Sequence, residues 1–156
     1  MAHNRRELIG IILWWAEGTK SRRDTRWKNA VSYPVEITNT NEAIIKIFVD
    51  FLVEDLCVPV EKLRVQIQIH EGDNRVTLEK YWSNITGVPV TQFNKTIVRP
   101  PGKKVGKSKG TCKVRFADKL VYRQLEQRLM DALVGVYDSG EILRVYDPSK
   151  RENILL

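Results

Sequence analysis

The chain has 156 residues, with 26 Lys and Arg against 19 Asp and Glu, for a formal net charge of +7. Hydrophobic residues make up 42% and charged residues 29%, a balance that excludes a disordered or fibrous chain and leaves enough apolar material for a folded core. The basic surplus favours a polyanionic partner, either nucleic acid or an acidic membrane face.

Residues Leu8–Gly18 read LIGIILWWAEG. They predict a helix over Arg5–Glu17 that is apolar on every side and therefore covered all round. The run is too short to cross a bilayer, which needs about 20 apolar residues. Arg5-Arg6 ahead of it loosely resembles a signal peptide, but Glu7, two tryptophans and the lack of a small-residue cleavage site argue against one. The helix stops at Glu17-Gly18, and the cations Lys20, Arg22, Arg23, Arg26 and Lys28 follow. A carboxylate at a helix C-terminus sits at the unfavourable end of the helix dipole and seeks a basic side chain or a metal. A helix that delivers an acid to a basic surface suits metal-assisted chemistry on phosphates.

The basic stretch Thr19–Asn29 reads as a loop or short exposed strand. A strand over Ala30–Thr38 follows by alternation, with Pro34 marking it as an edge or a bulge. Asn39 and Glu42 resemble a capping box for a second helix that runs to about Leu56, with a stripe at Ile44, Ile47, Phe48, Phe51, Leu52 and Leu56. Leu63–His70 is the clearest strand: Leu63, Val65, Ile67 and Ile69 face one way, and Arg64, Gln66, Gln68 and His70 the other. Asp73 is expected to cap a third helix with a stripe at Leu78, Trp82 and Ile85, ending at Gly87. Strands over Phe93–Val98 and Thr111–Ala117 flank the basic loop Lys103–Gly110, and a last helix covers about Lys119–Val136, with a stripe at Leu125, Leu129, Leu133 and Val136. No solenoid repeat is present. The order of elements predicts an α+β domain over residues 1–137, an antiparallel sheet with helices on one face, followed by a tail over 138–156.

Two features bear on chemistry. Between Lys95 and Arg115 lie eight basic residues and no acid: Lys95, Arg99, Lys103, Lys104, Lys107, Lys109, Lys113 and Arg115. Such a hairpin suits an arm laid on phosphates, with salt-dependent affinity, and Lys20–Lys28 offers a second cationic segment for the same surface. The strand face Arg64-Gln66-Gln68-His70 carries the chemistry of base-edge reading, Arg for guanine and Gln for adenine. The same alternation also describes an ordinary solvent face of a half-covered sheet. The cysteines, Cys57 and Cys112, are far apart with apolar neighbours and read as buried free thiols in a reducing cytoplasm. His70 is a poor metal-ligand candidate, and the chain has no zinc-type ligand cluster, phosphate-binding glycine loop or Ser-His-Asp pattern.

LIGIILWWAEG, followed by basic strands, resembles the signature helix of the LAGLIDADG homing endonucleases. Ala16-Glu17-Gly18 corresponds to that family's final Ala-Asp-Gly. The helix led by TNTNEAIIKIF, the strand LRVQIQIH and the segment FNKTIVRPPGKK extend the likeness of layout over most of Leu8–Val136. The resemblance implies an αββαββα-type α+β fold with a saddle-like antiparallel sheet lying in the DNA major groove. One signature helix implies a homodimer, with Leu8, Ile11, Ile12 and Trp15 at the interface, on a near-palindromic duplex and with no membrane partner. It further implies that Glu17, beside Gly18, binds Mg²⁺ or another divalent cation for phosphodiester hydrolysis, with Lys20 or Lys95 stabilising transition-state charge. Arg22, Arg23, Arg26 and Lys28 then join the sheet residues as DNA contacts. The chain departs from the pattern in its Glu for Asp, in Ile12 where the family usually has glycine (Gly10 lies two residues early), and in the bulk of Trp14 and Trp15. A DNA-binding regulator of the same fold that does not cut is the first alternative. An RNA-binding, splicing-assisting protein is the second, with Trp27 and Tyr33 as its stacking candidates.

Overall fold

The computed structural model describes residues 4–19, 22–24, 30–101, 108–134 and 136, with side chains at all of these save 22–24 and 30. The chain is α+β, with four α-helices, a four-stranded mixed sheet and a two-stranded ribbon. It divides into two compact units. The first comprises the described residues of Met1–Val35 and Ala117–Leu156, the second Glu36–Phe116. The tail 138–156 lies outside the described residues.

In the first unit, helix α1 covers Arg5–Glu17, as its periodicity predicts. Asn4 caps it, its Oδ1 accepting from the Glu7 amide at 2.7 Å. Glu7, Gly10, Ile11 and Trp14 are buried, a spacing that marks one helical face. That face packs on α4 (Lys119–Val134). Trp14 meets Tyr122 edge to face at 5.4 Å, Tyr122 meets Tyr33 at 5.5 Å, and Glu7 pairs with Arg128. Among the described residues, cover from within the chain reaches one face of this helix, and Leu8, Ile9 and Ile12 are 37%, 45% and 56% exposed. On α4, Leu125 and Leu129 are buried, whereas Leu133 is half-buried and Val136, beyond the helix, is exposed. Strands β1 (Arg22–Asp24) and β2 (Ala30–Ser32) form the antiparallel ribbon.

The single strand expected over Ala30–Thr38 is broken at Tyr33. β3 starts afresh at Pro34 and runs to Asn39. Proline tolerates the first position of a strand because it has no N–H to give to the ladder, and β3 is an edge strand.

The second unit carries the sheet, in the order β3-β6-β4-β5, with β4 at Arg64–His70, β5 at Ile97–Arg99 and β6 at Thr111–Ala117. Helix α2 (Glu42–Asp50) is capped by Asn41, whose side chain accepts from Ala43 and Ile44; Asn39 instead accepts from the Asn41 amide. A wider π-turn, Phe51–Asp55, completes the expected helix. It buries Phe51 and Leu52 in phase with Ile45, Phe48 and Val49, while Ile44 and Ile47 are only half-buried. Cys57 follows in a left-handed conformation (φ 55°) and is exposed. Its expected burial is thus corrected: the reversal that lets Val58 N–H reach Leu52 O turns its side chain outward. Cys112 is buried, which pushes its thiol up to about 12.

Helix α3 (Arg75–Thr86) is capped by Asn74 rather than Asp73, whose carboxylate accepts from the His70 amide. It ends at Gly87 in the left-handed conformation (φ 72°). α3 packs on α2 and β4 and buries Trp82.

The antiparallel sheet expected from the sequence is also corrected. β4 pairs antiparallel with β6 but parallel with β5, because α3 carries the chain back to the starting end of the sheet, the crossover that a parallel pair needs. The strand expected over Phe93–Val98 is reduced to β5. Phe93 makes only a bridge to Val65, and side chains hold the next residues: Gln66 donates to Lys95 O at 3.0 Å, and Thr96 donates to Glu79 at 2.7 Å.

Candidate nucleic-acid interface

β4 and β6 each alternate between burial and exposure. Val65, Ile67, Ile69, Cys112, Val114 and Phe116 go into the core, and Arg64, Gln66, Gln68, His70, Thr111, Lys113 and Arg115 stand on the open face. Strand register arranges these in rows. Arg64 lies opposite Arg115, Gln66 opposite Lys113, and Gln68 opposite Thr111. On the other side, β5 sets Ile97 beside Gln68 and Arg99 beside His70. The structure therefore brings together Arg64, Gln66, Gln68, His70, Arg99, Lys113 and Arg115 from the residues expected to meet nucleic acid.

Like charges directly opposite each other are unfavourable, and the Arg64–Arg115 row has two local remedies. Arg64 Nη1 donates to the carbonyls of Glu61 and Leu63 at 2.8 and 2.9 Å. Arg115 Nε lies 3.4 Å from Oε2 of Glu36, a carboxylate 6% exposed on β3. Beyond this row, the face holds a depression of about 190 Å³ lined by Thr38, Gln66, Ile67, Gln68, Ile97, Thr111 and Lys113. Its lining offers amide, hydroxyl and ammonium groups together with the exposed aliphatic side chain of Ile97.

The remaining expected contacts fall elsewhere. Lys95 is exposed, and its carbonyl accepts from Gln66 on the face. Lys109 turns its ammonium over the Tyr81 ring on α3, at 4.2 Å, while its carbonyl accepts from Trp82 Nε1 at 2.7 Å. Arg22 and Arg23 lie in β1, and their side chains are outside the description. Lys20, Arg26, Lys28, Lys103, Lys104 and Lys107 lie outside the described residues.

At the end of α1, Glu17 is exposed, and no basic residue stands in the last turn. Gly18 closes the helix, its N–H donating to Trp14 O at 2.9 Å. A Cβ at Gly18 would lie 2.2 Å from that same oxygen, so only glycine permits this close approach. Among the described residues, no three His, Cys, Asp or Glu are grouped to hold a metal, and no helix is long and apolar enough to cross a membrane. Of the four expected interface residues, Ile11 is fully buried within the chain. Leu8 and Ile12 are exposed, and Trp15 is half-buried. The bulk of Trp14, a departure from the family pattern, is absorbed by Tyr122.

Compared with known protein families, curated proteins and solved structures, the chain matches none. The likeness to LAGLIDADG proteins therefore stands on the residues that carry it.

Sequence reasoning found β4's face and the cations of β6, but it missed Glu36, Thr38, Thr111 and Ile97 as members of the same surface. Alternation in β3 placed Glu36 and Thr38 on one side. What it lacked was the neighbour, since pairing of β3 with β6 is a long-range fact. Tyr33, a candidate for stacking RNA bases, has its ring engaged by Tyr122, Arg123 and Lys119. Trp27 lies outside the described residues.

Proposed function

We propose that this protein is a homodimeric, sequence-specific duplex-DNA endonuclease of the homing type, which lays the open face of its four-stranded sheet in the major groove of a near-palindromic site. The observation that carries the reading is the ladder of Arg, Gln, Lys and His side chains across β4 and β6, in which the acid beside Arg115, Glu36, is buried. Such a surface offers bidentate donors to base edges and cations to phosphates. The uncovered aliphatic residues of α1, Leu8, Ile9 and Ile12, support a second copy of this chain as the partner. The exposed free thiol of Cys57 suits a reducing cytoplasm.

For hydrolysis, Glu17 offers a hard oxygen donor at an exposed helix end, the kind Mg²⁺ takes when waters and substrate phosphates complete its shell. Two copies, one from each protomer, would hold the metal, beside Gly18. When bound, the metal supplies activation of water and stabilisation of the leaving oxygen. The chain's own part is to hold the carboxylate at the end of a helix anchored by Glu7–Arg128 and Trp14–Tyr122. Gly18 fixes the turn that follows Glu17.

The test is selection from a randomised duplex library with Ca²⁺ and with Mg²⁺, using wild type and Glu17→Gln. Near-palindromic sites enriched by both proteins, and cut only by wild type with Mg²⁺, are expected. Sites bound by wild type but never cut would make the protein a DNA-binding regulator. Preference for folded RNA over duplex would overturn the DNA reading.

A further inference from the structure

The open face is not uniform along the strands. One end carries Arg115, whose Nε lies 3.4 Å from the buried carboxylate of Glu36. Four residues along β6, the other end carries Thr111 opposite Gln68, with Ile97 on Gln68's far side. These two ends have different recognition chemistry. An arginine whose Nε is ion-paired with a carboxylate still has its two Nη groups to offer as a fork, which matches guanine O6 and N7. A glutamine amide matches adenine N6 and N7, and an aliphatic side chain beside it matches the methyl group of thymine, so that Gln68 and Ile97 together present both halves of an A·T pair's major-groove edge. Ile97 is 36% exposed and lines the depression that Gln68 shares. On an otherwise polar surface, that apolar contact is what distinguishes this row from the Gln66–Lys113 row between the two ends.

We infer that each protomer reads its half-site at two anchors, a guanine through Arg115 positioned by Glu36 and an A·T pair through Gln68 and Ile97. This rests on the proposal that the sheet enters the major groove. Four residues of strand advance about 14 Å, and duplex DNA rises about 3.4 Å per base pair, so the two anchors lie about four base pairs apart. Glu36 acts here as a positioning residue, while Arg115, Gln68 and Ile97 touch the bases.

The experiment is binding selection on a randomised duplex, without cleavage, using wild type and three variants: Arg115→Ala, Glu36→Gln and the double change Gln68→Ala with Ile97→Ala. Wild type should enrich a guanine and an A·T pair about four positions apart in each half-site. Arg115→Ala should lower the guanine preference alone, by roughly 5- to 150-fold. Glu36→Gln should weaken the same position and leave the A·T position intact, a split that general loss of folding cannot produce. The double variant should do the reverse. If wild type enriches a motif but the variants leave it unchanged, or relax other positions, the inference fails while the DNA reading stands. If wild type enriches no sequence at all, the proposed function fails, and the inference with it.

Discussion

The open face of the four-stranded sheet and the outer face of α1 are both exposed, but their chemistry differs. The sheet face is mostly amide, guanidinium, ammonium and hydroxyl, with Ile97 among them, and each polar group can be satisfied by water. The outer face of α1 is Leu8, Ile9 and Ile12, which gain nothing from water. The first surface can stay open in a lone chain. The second is relieved when apolar surface covers it, and a second α1 offers the same aliphatic stripe in return. The difference teaches that exposure alone does not define a binding surface: the kind of solvent contact a surface tolerates says what sort of partner it awaits.

Several substitutions would sharpen or break this contrast. The largest effect should come from the covered side of the sheet. Ile67→Ala, at a fully buried position, should destabilise folding by about 2–5 kcal/mol, whereas Gln66→Ala on the open face should change it by less than about 1 kcal/mol; urea denaturation of both variants measures the gap, and equal losses would mean the face is not open. Ile12→Glu should leave the protein monomeric at concentrations where wild type is dimeric, as read by sedimentation velocity, with an unchanged circular dichroism spectrum. A monomeric wild type would remove the role assigned to α1.

Gly18→Ala places a methyl against the Trp14 carbonyl and should cost about 1–3 kcal/mol, seen as a lower melting temperature than that of Ala16→Gly on the preceding turn. Glu79 has a smaller part. The side-chain hydrogen bond from Arg75, joined by one from Thr96, holds its carboxyl below the usual value of 4.5. A carboxyl depressed by folding adds stability that is present above its unfolded value and lost as pH falls through the folded one. Glu79→Gln should therefore flatten the pH dependence of stability below about 4.5, by less than about 1 kcal/mol, in denaturation midpoints taken from pH 3 to 6. Last, a thiol reagent at neutral pH should label Cys57 at once and Cys112 only on unfolding, since the latter's thiol is buried and raised to about 12.

Much of this molecule is legible from local pattern. The apolar run bounded by Asn4 and Gly18 gives α1 its limits, and Thr111–Ala117 alternates cleanly enough to mark β6 to the residue. The polar members of β4 are separable from its core members by period alone, because successive side chains of a strand point to opposite faces. The candidate site was readable to the same depth: its residue types were visible, but not its rows.

Tertiary structure decided what a single segment cannot specify. The face of α1 that is buried depends on where Tyr122 and Arg128 stand, more than a hundred residues away in sequence. β5 runs parallel to β4 because α3 intervenes and returns the chain to the same end of the sheet. Cys57 is exposed because it takes the left-handed conformation itself in the reversal after the π-turn. Glu36 meets Arg115, and Ile97 meets Gln68, through strand pairing across long loops. Periodicity is a property of one stretch of backbone, whereas neighbour choice is settled by the packing of elements distant in sequence; the sequence alone therefore determined which side chains face outward, and only the fold decided which of them stand together.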